Sequence, residues 1–170
     1  MSQIMLKRSN TRFVGEPNFF KKILVPLDGS EHADKALGFA LDLAEKYSAS
    51  IVLLSVIPPV NVPAVLYPTT GLPSVPPQTI DAYSKERKTR HEKLLSDAIQ
   101  KAKNIKPNIK ISTKLAEGRP ADKIVETAKE GNFDIIVMGS RGLGGVKEFF
   151  LGSVSDRVAD EAPCPVLIVK

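Results

Sequence analysis

The chain has 170 residues, 42% of them hydrophobic and 25% charged, with one cysteine, two histidines and a formal net charge of +5. This is the length and composition of one globular domain with a full core, and two domains would be cramped. No run approaches the roughly 18 consecutive apolar residues of a membrane span; the lone Cys164 excludes an intrachain disulfide or a cysteine metal cluster, and His32 and His91, far apart in sequence, offer little for zinc.

Residues 1–20 show no periodicity and are expected to be a flexible N-terminal extension to a domain over 21–170. The apolar patch in MSQIMLKRSNTR is too short for a signal peptide, so the expected location is the cytoplasm. ILVPL (Ile23 to Leu27), a short apolar run ending in the turn residues DGS, reads as a buried parallel strand. A helix follows, capped by Ser30, with Glu31 and Asp34 at its positive end and Ala33, Ala36, Leu37, Ala40, Leu41, Ala44 and Tyr47 at helical spacing. IVLLSVI (Ile51 to Ile57) is the second buried strand.

Seven of the thirteen prolines lie between Pro58 and Pro77, a composition that neither pairs in a sheet nor continues a helix. It predicts a long loop, and loops of this length tend to be lids, binding loops or disordered segments. A long helix then starts near Thr79 or Asp81 and runs to about Lys103, with Leu94, Leu95, Ala98, Ile99 and Ala102 on one face. The basic charge is uneven: residues 1–22 hold five Lys or Arg against one Glu, and residues 81–110 hold nine basic against four acidic groups. The second block falls on that helix with Tyr83 as its one aromatic, which favours a solvated face over a nucleic-acid track.

IKISTKL (Ile109 to Leu115) alternates like a half-covered or edge strand, and a short helix from about Ala121 to Glu130 presents Ile124, Val125 and Ala128. DIIVMG (Asp134 to Gly139) is the fourth strand, a helix after Gly152 carries Val154, Val158 and Ala159, and PVLIV (Pro165 to Val169) is the fifth. Strand and helix alternate throughout, which predicts a doubly wound five-stranded parallel α/β sheet, Rossmann-like, with helices on both faces. Ligands of such sheets bind beyond the carboxyl ends of the strands where the winding reverses. The Asp28 turn and the Gly139 loop both fall at strand carboxyl ends.

The stretch DIIVMGSRGLGGVKEFFLGSVS carries the strongest functional signal. Gly139 and Gly142 stand three apart at the end of a strand, nine residues intervene, and Gly152 with Ser153 opens the next helix. Glycines admit an anion close to the backbone, and the first N–H groups of a helix point at it with the positive end of the dipole. Plainer readings exist beside this one. Asp28 can simply close the turn before the first helix, Gly139 and Gly142 can be turn glycines, Gly144 and Gly145 can supply flexibility, and Ser153 can be an N-cap. Lys147 reads as a solvated loop lysine, His32 as a surface residue and Cys164 as a small core residue.

From Lys22 to Lys170 the chain resembles the universal stress protein family (UspA-like), through ILVPLDGS, EGRPADKIVETA, DIIVMGSRG, the G-x-x-G, nine residues, G-S spacing, and CPVLIV. The resemblance implies an adenine-nucleotide α-hydrolase-like fold with strand order 3-2-1-4-5, and binding of ATP, with ADP or AMP as alternatives. It implies that Pro26 and Asp28 sit against the nucleoside, that Val56 faces the adenine, and that Met138 and Gly139 line the end of the fourth strand. Gly142, Gly152, Ser153, Val154 and Ser155 would then surround the phosphates, with Arg141 at a position that varies in the family. Mg2+ or Mn2+ would be held through phosphates and water rather than by the protein. A homodimer through the last strand, Pro165 to Val169, is also implied.

The sequence lacks the GxxxxGK pattern of Walker-type ATPases, the SGGxDS-like loop of ATP pyrophosphatases and the HxGH motif of nucleotidyl transferases. No general base or arginine–carboxylate set is spaced to activate water beside the glycine loop. The expected function is therefore a nucleotide-responsive regulatory or sensor protein in stress response, not an enzyme. Two alternatives stand beside it: a weak, self-phosphorylating ATPase, and a dimeric adaptor whose site stays empty.

Overall fold

A computed structural model describes residues 20–59, 77–143 and 151–170. The expected extension as far as residue 19, the proline-rich loop between Pro59 and Pro77, and Gly144, Gly145 and Lys147 lie outside the described residues. The elements follow in the order β1 (Lys22–Pro26), α1 (Glu31–Tyr47), β2 (Ser50–Ile57), α2 (Pro77–Ile105), β3 (Ile111–Glu117), α3 (Pro120–Glu130), β4 (Ile135–Gly139), α4 (Ser153–Glu161) and β5 (Val166–Val169). They build one parallel sheet in the order β3-β2-β1-β4-β5.

Side chains alternate across each strand, and the two faces of the sheet therefore have separate cores. Ile23, Val25, Ile51, Leu53, Ile135 and Val137 meet Ala36, Leu37, Ala40, Leu41 and Ala44 of α1 and Leu95, Ala98 and Ala102 of α2. On the opposite face Leu24, Leu54, Ile136, Met138, Val166 and Ile168 meet Ala121, Ile124 and Ala128 of α3 and Val158 of α4. Leu24, Leu54 and Ile136 are fully buried, and truncating any one to Ala should cost about 2–5 kcal/mol. Phe20, the last residue of the expected extension, packs edge-on to Tyr47 at 5.3 Å and joins the α1–α2 core.

The helix ends follow local chemistry. The Ser30 hydroxyl accepts the Ala33 N–H at 3.2 Å, Glu31 and Asp34 sit in the first turn of α1, and Ser48 closes it with φ 53°. Two boundaries differ from the sequence reading. Helix α2 begins at Pro77, ahead of Thr79 and Asp81, because proline lacks only an N–H that a first turn does not use. β3 runs two residues later than Ile109 to Leu115, because its register is set by β2, from Ile51 opposite Ile111 to Ile57 opposite Glu117. Ile109 is instead held in a turn by its N–H to the Lys106 carbonyl at 3.4 Å.

Among the described residues no helix is long and apolar enough to cross a membrane.

Candidate functional site

The winding reverses between β1 and β4, so a crevice opens beyond their carboxyl ends. Three segments border it: the β1–α1 turn, the residues after β4, and the start of α4. In the first, Gly29 takes φ +86°, a left-handed conformation that glycine adopts at no steric cost. This lets the exposed Asp28 fold back so that its Oδ1 accepts the Ser30 N–H at 3.0 Å. Ser30, only 7% exposed, then ties the first segment to the second by donating its hydroxyl to the Arg141 carbonyl at 3.3 Å.

The glycines after β4 create close approaches. A Cβ at Gly139 would stand 2.7 Å from the His32 carbonyl carbon and 2.9 Å from the Ala33 nitrogen, so only glycine lets β4 end against the start of α1. A Cβ at Gly142 would collide with Oδ2 of Asp28, so the bare backbone is what admits the carboxylate there. Asp28 and Gly142 thus form one corner of the crevice.

Helix α4 supplies the third wall. Its N-cap is Gly152 rather than Ser153, with φ −66° and ψ 152° and no side-chain cap bond. Ser153 is the first helical residue and exposed. The first intrahelical bond runs from the Asp156 N–H to the Gly152 carbonyl at 2.9 Å. The N–H groups of Ser153, Val154 and Ser155 have no intrahelical acceptor, and Gly152 offers them no capping side chain.

Ser155 lies at the same turn but looks the other way. Its hydroxyl is buried, 2.8 Å from the Ser140 carbonyl and 2.9 Å from that of Gly152, so it locks the loop and leaves only its N–H for the crevice. Ser140 also accepts the Gly152 N–H at 2.8 Å and donates its own to Val169 at 2.7 Å.

Pro26 and Val56, alternating with Leu24 and Leu54, fall on the α3–α4 face at the crevice end and are half-buried. Met138 shares that face, but its side chain belongs to the core at 5% exposure, which leaves its backbone to the site. Arg141 is half-buried in the loop that Ser30 holds. All eleven residues singled out in the sequence thus lie at the carboxyl end of the sheet.

Sequence reasoning missed Ser55, Ser140 and the role of His91. Ser55, fully buried at the end of β2, lies with its Oγ 3.1 Å from the Leu27 carbonyl and 2.8 Å from His91 Nδ1. Two of them left a trace: Ser55 is the one polar residue in IVLLSVI, and His91 continues the apolar stripe of Leu95, Ala98 and Ala102. Burial, and then the charges of Arg87 and Arg90, hold the His91 imidazole below its ordinary value. Among the described residues no three His, Cys, Asp or Glu side chains converge as metal ligands.

Fold and crevice together define a doubly wound α/β domain with one glycine-bordered opening at its switch point. The universal stress protein family matches residues 19–170, and the chain belongs to that family. It is 40% identical to the universal stress protein YxiE of Bacillus subtilis over 89% of this chain and 99% of that protein. Universal stress protein UspA from Lactobacillus plantarum has the same fold, with a TM-score of 0.70 at 24% identity over 89% of this chain and 98% of that one. The universal stress protein from Archaeoglobus fulgidus in complex with dAMP superposes with a TM-score of 0.58 at 22% identity, over 89% and 99% of the two chains.

Proposed function

We propose that this universal stress protein binds an adenine nucleotide, ATP first among them, and acts as a nucleotide-responsive regulator rather than an enzyme. One observation carries the reading: the first-turn N–H groups of Ser153, Val154 and Ser155 lie at a helix start whose N-cap, Gly152, offers them no side-chain acceptor, beside a crevice bordered by Gly142 and Gly152. An anion there takes up donors that the helix cannot use and meets the positive end of its dipole. Asp28 is the acceptor placed for a ribose hydroxyl, and Pro26 and Val56 offer apolar surface to a base. That the same fold holds dAMP in a relative is consistent with this use. Magnesium or manganese would enter with the phosphates and water, because among the described residues no three His, Cys, Asp or Glu side chains converge to hold it.

The test is mass analysis of small molecules released on denaturing the freshly purified protein, with Gly152→Val alongside. Gly152 has backbone angles open to any residue, and among the described residues its Cβ would lie no closer than 3.4 Å to a neighbour, so the variant should fold. ATP or ADP recovered from the native chain and absent from the variant supports the reading. An empty protein that also ignores added ATP refutes it and favours the adaptor. Phosphate release above the Gly152→Val level would instead indicate a weak ATPase.

The reading includes a homodimer through the last strand. Among the described residues β5 pairs only with β4, so its outer backbone groups lie at the edge of the described sheet, and an apolar edge invites a second copy. Leu167→Lys should give monomers in sedimentation, and an unmodified protein that sediments as a monomer rejects the dimer.

A further inference from the structure

We propose that Ser55 and His91 form a hydrogen-bonded relay that positions the Asp28 turn and so ties α2 to the crevice; its effect on ligand rests on the nucleotide reading above. A fully buried hydroxyl in a β-strand is costly unless it is bonded, and Ser55 has two partners. The Leu27 carbonyl can only accept, so the serine proton satisfies it. Ser55 Oγ then accepts from the Nδ1–H of His91. In this arrangement every member is paired, whereas a proton directed at Nδ1 would leave the Leu27 carbonyl without Ser55.

The consequence for the crevice is geometric. The Leu27 N–H is already held by the Leu54 carbonyl at 2.8 Å, so β2 grips Leu27 at both its N–H and its C=O. Leu27 immediately precedes Asp28, whose carboxylate meets the Ser30 N–H and Gly142. Two further contacts from the same face of α2 reach the same end of the sheet. Leu94 Cδ1 lies 3.6 Å from where a Cβ of Gly29 would be, and the Arg87 guanidinium donates to the Pro58 carbonyl just beyond β2. Positions 87, 91 and 94 follow helical spacing, so one stripe of α2 braces the turn.

The surrounding charges agree with a neutral donor ring. On α2, Arg87 and Arg90 oppose a further positive charge. β2 presents only the Ser55 hydroxyl, and the β1 end presents the Leu27 carbonyl and Asp28, whose carboxylate is turned to Ser30 and Gly142. At neutral pH the ring therefore carries one proton, and the relay puts it on Nδ1.

Long-range 1H–15N spectra of histidine-labelled protein test this directly, since the chain has two histidines and His32→Gln assigns them. The expected result at pH 7.5 is an Nδ1–H tautomer for His91. An Nε2–H tautomer overturns the relay without recourse to any variant. Ser55→Ala and His91→Leu should speed amide exchange of Ser30 about tenfold and weaken ATP binding about tenfold by calorimetry. His91→Gln, which keeps an N–H donor, should stay within about threefold of the native chain. Unchanged Ser30 exchange in both Ser55→Ala and His91→Leu refutes the positioning role, whatever ATP does. Faster Ser30 exchange in a protein that never binds ATP supports the relay and refutes the nucleotide reading.

Discussion

The two ends of the β1–β4 pair are built on opposite plans. At the amino end side chains tie the backbone of the two strands together. Asp134 Oδ2 accepts the N–H groups of Lys21 and Lys22 at 2.9 Å each, and Lys22 Nζ donates to the Gly131 carbonyl at 2.9 Å while standing 4.6 Å from the centre of the Phe133 ring. Nearby, burial and then the charge of Asp134 push the Cys164 thiol up to about 11, far from a reactive thiolate. At the carboxyl end the bordering positions 139, 142 and 152 are glycines, and the α4 terminus is left uncapped. The same sheet thus uses side chains to tie its amino end and leaves the backbone bare at its carboxyl end.

Four experiments break or sharpen this contrast. The largest effect is expected from Gly139→Val, whose Cβ would meet backbone atoms of His32 and Ala33 that cannot move aside. Denaturant titration should show a loss of about 3 kcal/mol, and an unchanged midpoint would mean that the close approach is not needed.

Asp134→Ala should follow, costing about 2 kcal/mol through two lost bonds to backbone N–H groups. Its ATP affinity should match that of the native chain, because it acts at the opposite end of the sheet from the crevice. A parallel loss of affinity would mean that the two ends are coupled.

Gly142→Ala should show the reverse pattern. Among the described residues its Cβ meets only the flexible tip of Asp28, so stability should hold within about 0.5 kcal/mol. Displacing that carboxylate should weaken ATP binding about tenfold, or about 1.4 kcal/mol. Equal losses in stability and affinity would deny the corner a binding role.

The smallest effect is the pH dependence. Because the His91 value in the fold lies below the ordinary 6.5, the unfolded chain takes up its proton first on acidification. Stability from this group is thus complete above about pH 6.5, falls as pH drops toward the lowered value, and levels off below it. Denaturation at pH 5 and 7.5 should show a gap that narrows in His91→Gln. An equal gap in both proteins would assign the dependence to other groups.

Much of this was legible in the sequence because it depends on near neighbours. The apolar runs ILVPL and IVLLSVI, the Ser30 cap and the alternation of strand and helix led to the observed elements, and the family resemblance supplied the strand order. The glycine spacing led to the end of β4 and the start of α4. Local rules failed where a partner from elsewhere decides. Ser153 looked like a cap, but Gly152 takes that position because its N–H is drawn to the Ser140 carbonyl across the loop. Ser155 carries the same group as Ser153 two residues away, yet its hydroxyl turns inward to Ser140, fifteen positions earlier.

The sequence by itself therefore determined the order of the elements and the glycines at the switch point, since propensity, capping and periodicity act within a turn or two of chain. Only the tertiary structure decided which polar groups are consumed by the fold. Ser55 meets His91 from thirty-six positions away, and Asp28 meets Gly142 across the β1–β4 seam. Those pairings exist only once the parallel sheet has closed, because a buried hydroxyl or a bare N–H acquires its partner, or its lack of one, from the strands brought beside it.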